Sequence, residues 1–213
     1  MDPHATERSF LIGIAGPSGA GKTELARSIT RAVPATLLSL DSYYRDLAHL
    51  PLSERAKQNF DDPAMIDDGL LYTHLTLLLQ GQPINRPSYD FSRHTRTSEV
   101  QILESSGVVI LEGLFVLLWE PIRRLLDLKI YVTSSDSICF ERRLARDVQE
   151  RGRTAESVRQ QYQSTVRAMA ERYIYPSRMF ADLVMEGTGP VEETAARVLA
   201  LLEHRKNARR LRS

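Results

Sequence analysis

Gly16-Pro17-Ser18-Gly19-Ala20-Gly21-Lys22-Thr23 constrains this chain more than any other stretch of it. The segment matches G-x-x-x-x-G-K-[ST] throughout, and its context matches as well. An apolar run at residues 9–15 reads as a buried strand before it, and residues 22–33 read as a helix after it, stopped by Pro34. Glycines let backbone N–H groups turn inward around phosphate oxygens, and the helix N-terminus adds partial positive charge. Lys22 is expected to reach the β- and γ-phosphates, and the Thr23 hydroxyl to ligate Mg²⁺. A glycine-rich turn that enters a helix by chance is the alternative, and the flanking pattern argues against it. The motif implies a nucleoside triphosphate and leaves the phosphoryl acceptor open.

The rest of the chain fits the fold that such a loop requires. Apolar runs at residues 36–40, 108–111, 128–132 and 181–185 read as further strands. Helical patterns cover residues 67–80, 135–151, 154–173 and 191–203, with Gly152 as a break. Strands alternating with helices imply a parallel sheet covered on both faces. The expected fold is therefore α/β and P-loop NTPase-like, a three-layer α/β/α sandwich on a five-stranded parallel sheet. Residues 82–99 carry two prolines and no helical period, and they read as a small β-hairpin appendage. A length of 213 residues suits one domain spanning residues 1–213. Residues 139–175 form its helical lid region.

Hydrophobic residues at 42% and charged residues at 26% are the mixture of a soluble globular protein. A net charge of +1 gives no argument for nucleic acid or membrane as partner. The single cysteine, Cys139, excludes an internal disulfide framework and fits a reducing compartment. Residues 1–8 are polar and lack the apolar core of a signal peptide, so the expected location is cytoplasmic.

Ligands of such sheets sit beyond the carboxyl ends of the strands. Asp41 falls there, able to orient an acceptor hydroxyl and take its proton, although a cap at a strand end would use the same residue. Glu112 ends the run at residues 108–111, where a carboxylate supports Mg²⁺, and a solvated loop acid is its alternative. Arg142, Arg143, Arg146, Arg151 and Arg153 cluster on one helix and its exit. They read as a lid closing on phosphate. For Arg142, an exposed pair with Glu141 is an equal reading, and Asp147 with Arg151 would be a similar surface pair.

Several motifs in order give a closer identification: GPSGAGKT, DSYYRD, NFDDPAMID, PSYDFSRHTR, ILEGLF, RRLARDVQERGR and YPSRMFADLV. Over residues 10–185 the chain resembles the uridine kinase (uridine–cytidine kinase) branch of the P-loop kinases. The resemblance implies ATP and Mg²⁺, with a nucleoside as the small-molecule partner phosphorylated at its 5′-hydroxyl. It implies Asp41 as catalytic base and Tyr44 as a lining of the nucleoside site. Asp61 matches the aspartate that binds the ribose hydroxyls, and Tyr89, Phe91 and His94 match contacts to the base. Arg143 matches a ribose and base-side contact, Arg146, Arg151 and Arg153 match lid arginines facing phosphates, and Gln161 matches a glutamine reaching toward the base. Homo-oligomers, dimers or tetramers, are implied as well. Another alcohol acceptor and a non-catalytic nucleotide switch are the rival readings. The chain departs from the family pattern at Asp62 and Ala64. Arg93 adds a charge beside His94 that is expected to bear on the base pocket. The basic tail from Arg205 reads as a frayed, solvated helix end.

Overall fold

The computed structural model describes residues 8–211. The expectation for the N-terminal segment therefore lies, apart from Arg8, outside the described residues. Strand β1 (Phe10–Ala15) is buried along its whole length. The phosphate loop follows it and leads into α1 (Lys22–Ala32). Next come β2 (Thr36–Ser39), a 3₁₀ turn at Leu40–Tyr43, the short α2 (Leu52–Arg55) and α3 (Asp68–Leu79). The hairpin β3 (Ile84–Asp90) and β4 (Thr95–Leu103) precedes β5 (Val108–Glu112), α4 (Glu120–Leu125), β6 (Leu128–Thr133) and α5 (Asp136–Gln149). One continuous rod then contains α6 (Ala155–Gln161), α7 (Arg167–Met169) and α8 (Tyr175–Ser177), joined by π-helical turns at Tyr162–Val166 and Ala170–Ile174. Strand β7 (Leu183–Glu186) and α9 (Val191–Arg210) complete the order.

The five core strands lie in the order β2-β5-β1-β6-β7, and every pairing is parallel. Alternation along β1 divides the core. Phe10, Ile12 and Ile14 pack with Leu25 and Ile29 of α1 and with Val198 and Leu202 of α9. Leu11 and Ala15 point the other way, toward Leu71, Leu75 and Leu78 of α3 and Ile122 of α4. Side chains that alternate along a buried strand need cover on both faces, and this produces the three layers. Strand β1 sits between β5 and β6, so the crevice beyond its carboxyl end is the topological switch point.

Most boundaries shift by one or two residues from the sequence expectations, and three larger differences have a physical reason. The hairpin runs on to Leu103, because Pro87 pairs with Val100 and Ile84 with Leu103. Helix α4 has no counterpart among the expected elements, since a single turn with Pro121 inside it carries too little period to read. The tail is not frayed before Arg210. Arg205 donates to the Asp127 carbonyl at 2.5 Å and to Asp182 at 3.1 Å, and Arg209 bonds the Arg8 carbonyl at 3.1 Å. Long side chains anchored on neighbouring loops extend the helix beyond its apolar face. Arg205→Ala is expected to cost about 1 kcal/mol. For a domain of this size that is a fall of about 2–4 °C in Tm by thermal unfolding. An unchanged Tm would return the tail to solvent.

Candidate active site

The phosphate loop depends on two close backbone approaches. Gly16 has φ 144° and Gly19 has φ 81°. A Cβ at Gly16 would run into the Val132 carbonyl of β6, and one at Gly19 into the Cys139 carbonyl of α5. Only glycine satisfies both the dihedral and the space. Pro17, Ser18, Ala20 and Gly21 complete the turn. Lys22 is buried and donates to the Pro17 carbonyl at 2.8 Å, which holds its ammonium under the loop.

Register places the acidic partner. Ser39 of β2 and Ile14 of β1 both stand opposite Glu112 of β5. Glu112 is therefore buried at the strand ends, accepting from Ser39 Oγ at 2.7 Å and from Thr23 Oγ1 at 3.2 Å. Burial raises the Glu112 carboxyl and lowers the Lys22 ammonium, while their mutual attraction opposes both shifts. Thr23 and Glu112 offer hard oxygen donors, which suit Mg²⁺. Among the described residues no group of three or more His, Cys, Asp or Glu could hold an ion. A Mg²⁺ bound here would therefore take most of its ligands from phosphate and water. Ser39 is absent from the sequence reading, because a serine ending a strand carries no signal until the register is known.

Asp41 stands two residues beyond β2, inside the 3₁₀ turn rather than at the strand end, and its N–H donates to Ser39 Oγ at 3.4 Å. Leu40 and Tyr43 bury that turn from below. Tyr43 Oη lies 2.9 Å from His74 Nδ1 behind it. The Asp41 carboxylate is partly exposed and lies 3.6 Å from Arg151.

A second group lies beyond Asp41. Tyr44 packs against Tyr89 at 5.3 Å and Phe91 at 5.9 Å between ring centroids, and Phe60 stacks on His94 at 4.6 Å. Phe60 is a further member that the sequence reading left out, hidden beside Asp61 in NFDDP. The hairpin turn is built by Asp90, which accepts from the Ser92 N–H, the Ser92 hydroxyl and the Arg93 N–H. His94 follows in the left-handed region at φ 51°. Arg96 ties the hairpin to the Asp41 segment through the Tyr44 carbonyl at 3.0 Å and Asp67 at 3.1 Å. Burial, then Arg153 and Arg55, lowers the His94 imidazole below its ordinary range, which favours the neutral ring. Arg93 does not supply that field. Its side chain is 78% exposed, with Asp90 at 3.9 Å, and Arg55 stands near His94 in its place. Tyr89 Oη and His94 Nδ1 are buried and make no hydrogen bond.

Asp61 is buried between the two groups. Arg143 donates to both its oxygens, at 3.0 and 3.4 Å, and Gln161 Nε2 donates at 3.1 Å. Arg146 reaches Ser18 Oγ at 3.3 Å, and Arg151 lies over the Phe91 ring at 4.4 Å. Arg153 donates to Gln161 and to Ser157, so it stands with Asp61 rather than at the phosphate loop. Arg142 fits neither of its two readings. It donates to the Gly19 and Gly187 carbonyls, bracing the loop from behind. Asp147, read as half of a surface pair, is fully buried. A cavity of about 340 Å³ opens on the far side of the loop, lined by Gly21, Leu25, Val132, Arg142 and Thr194.

A glycine cradle after β1, Glu112 at the end of β5 with Asp41 in the turn beyond β2, and an arginine-bearing helix define a P-loop phosphotransferase site. The description "Phosphoribulokinase / Uridine kinase family" matches residues 11–195, and the chain belongs to that family. It is similar to the uridine kinase of Halobacterium salinarum, 47% identical over 86% of this chain and 83% of that protein. It is also similar to the uridine kinase of Geobacillus kaustophilus, 40% identical over 93% and 98%. Among solved structures, a kinase of Silicibacter sp. TM1040 shares the fold with a TM-score of 0.69 at 21% identity, over 86% of this chain and 92% of that one.

Proposed function

We propose that this chain transfers the terminal phosphoryl group of ATP to the 5′-hydroxyl of uridine or cytidine. The position of Arg151 carries the reading. It lies at once on Asp41, on the Phe91 ring and near Asp147, and the Asp41 charge acts on Lys22 of the phosphate loop, so the loop and the aromatic slot meet at one partly exposed carboxylate. The names of the relatives support the same acceptor.

In this reading Asp41 takes the hydroxyl proton as the new O–P bond forms. Lys22, Arg146 and Arg151 hold the charge on the transferring group, and Gly16 to Thr23 hold the triphosphate. Thr23 and Glu112 hold Mg²⁺, which when bound neutralises charge on the β- and γ-phosphates. The cavity behind the loop has room for the donor's base. Asp61 accepts from the two ribose hydroxyls, with Arg143 and Gln161 fixing its orientation. Tyr44, Tyr89 and Phe91 cover the base. A neutral His94 can donate to the uridine O4 or accept from the cytidine amine, depending on tautomer. The unpartnered Tyr89 Oη and His94 Nδ1 are the polar atoms available to such a ligand. Residues 139–175 act as the lid, and Arg153 serves the acceptor side of it.

No helix among the described residues is long and apolar enough to cross a membrane. We place the chain in the cytoplasm as a homo-oligomer, with small molecules rather than nucleic acid as its partners. An acceptor panel with Mg·ATP tests the function: uridine, cytidine, their 2′-deoxy forms, other nucleosides and sugar phosphates. Uridine and cytidine should turn over, with the deoxy forms slower by about 100-fold or more because Asp61 loses a partner. Turnover of a different alcohol alone rejects the acceptor. Slow hydrolysis indifferent to every nucleoside would make the chain a nucleotide switch.

A further inference from the structure

Asp147 is fully buried, and its surroundings are cationic. Arg146 lies 2.8 Å from its Oδ1 and Arg151 3.5 Å from the same oxygen. Arg143 lies 3.5 Å from its Oδ2 and Arg153 3.8 Å. Chain geometry makes the convergence. Arg143 and Arg151 are each one helical turn from Asp147 along the chain, hence on its face. Gly152, at φ 64°, turns the chain so that the Arg153 N–H returns to the Asp147 carbonyl at 3.1 Å.

Each arginine holds something else with its free end. Arg146 holds Ser18 of the phosphate loop, Arg151 pairs with Asp41, Arg143 pairs with Asp61, and Arg153 holds Gln161. Asp147 is the shared centre of that set. Its Oδ2 makes no hydrogen bond and has only charge for company. An apolar residue would pack this helix face with no desolvation penalty, so a buried carboxylate needs another reason to be there. Without it, four guanidiniums would repel one another whenever no triphosphate lay between them.

We infer that Asp147 is a positioning residue, the buried anchor that preassembles Arg146 and Arg151 for the phosphates and links them to the Asp61 side of the site. This rests on the reading of Arg146 and Arg151 as phosphate-facing groups. Preassembly matters because donors aimed in advance need no reorganisation as charge develops.

The test is a double-mutant cycle of Asp147→Asn with Arg151→Gln, read both in kcat and in the Kd of the non-hydrolysable donor β,γ-imido-ATP. In the wild-type background Asp147→Asn should lower kcat by about 10- to 100-fold, the range for removing a partner that orients a functional group. It should leave the acceptor KM within about threefold, since Arg143 still holds Asp61 directly. In the Arg151→Gln background the same change should cost at least about threefold less, because only Arg146 is then left to lose its anchor and residues acting through one another are not additive. Asp147→Glu, which keeps the charge, should recover at least about tenfold of the loss. Equal losses in both backgrounds, or a Glu variant as poor as Asn, overturn the inference. If Asp147→Asn does not fold, the cycle is run with Asp147→Ser, which also removes the charge and has less bulk, and an equal loss in both backgrounds again overturns it. A wild-type chain inert toward every nucleoside sinks the acceptor reading alone. The imido-ATP cycle then still decides for Asp147: a loss of affinity larger in the wild-type than in the Arg151→Gln background supports it, and equal losses reject it.

Discussion

Asp41→Asn is expected to lower kcat with uridine by about 10³-fold, within the range for losing a general base, while the Kd for imido-ATP stays within about twofold of wild type. Asparagine has nearly the same shape and can still accept a bond from Arg151, so the 3₁₀ turn should survive. Its buried supports, Leu40 below and Tyr43 hydrogen-bonded to His74, are untouched. What disappears is a group able to take a proton. Asp41 is placed for that work by its partial exposure and by an Arg151 contact of 3.6 Å, long enough for an incoming hydroxyl to compete. The residual rate would come from positioning and from the cations around the phosphate. Steady-state kinetics paired with calorimetric binding separates the outcomes. A near-normal kcat removes Asp41 from the chemistry. A large loss of donor affinity moves it to the metal side, next to Glu112.

The same residues mark how far the sequence could be read. The loop at Gly16 to Thr23 was legible because its chemistry is local: strand, turn and helix follow in one stretch of chain. The sheet was legible because the cores of β1 and β5 are unbroken apolar runs and β6 is interrupted only by Lys129 before its last residue. The Ser39–Glu112 contact was not, since it exists only through the register of β2 on β5. Asp147 entered the reading only through the alternative to a lid, as half of an exposed pair, for a related reason. Acid–base spacing on a helix is the same whether the face is exposed or buried, and only the packing of α5 under the lid tells them apart. Phe60 and Arg55 escaped because their roles depend on where the hairpin tip returns: Phe60 lies against His94, and Arg55 bonds the Arg93 carbonyl. Arg93 drew attention by adjacency to His94 along the chain, yet successive side chains in that turn point different ways and its charge faces solvent.

Asp61→Asn is expected to lower kcat/KM for uridine by about 10³-fold and to bring the ratio of uridine to 2′-deoxyuridine down toward one. Two effects add. A carboxylate accepts from both ribose hydroxyls, whereas an amide presents one oxygen and turns its N–H₂ toward a donor. The amide also faces Arg143, whose buried guanidinium is held at 3.0 Å by the carboxylate and retains only Asp147, at 3.5 Å, as a charged partner. Leaving a buried charge short of its partner is far more costly than losing an exposed pair. Deoxyuridine already forgoes one of the two bonds, so it has less to lose, and discrimination falls with the carboxylate. The ratio is the decisive quantity because a general loss of fold lowers both substrates alike. If kcat/KM drops equally for uridine and 2′-deoxyuridine, Asp61 acts as a counter-ion for Arg143 and the sugar is read elsewhere. If the ratio collapses while imido-ATP binding holds, the carboxylate is the group that tells ribose from deoxyribose.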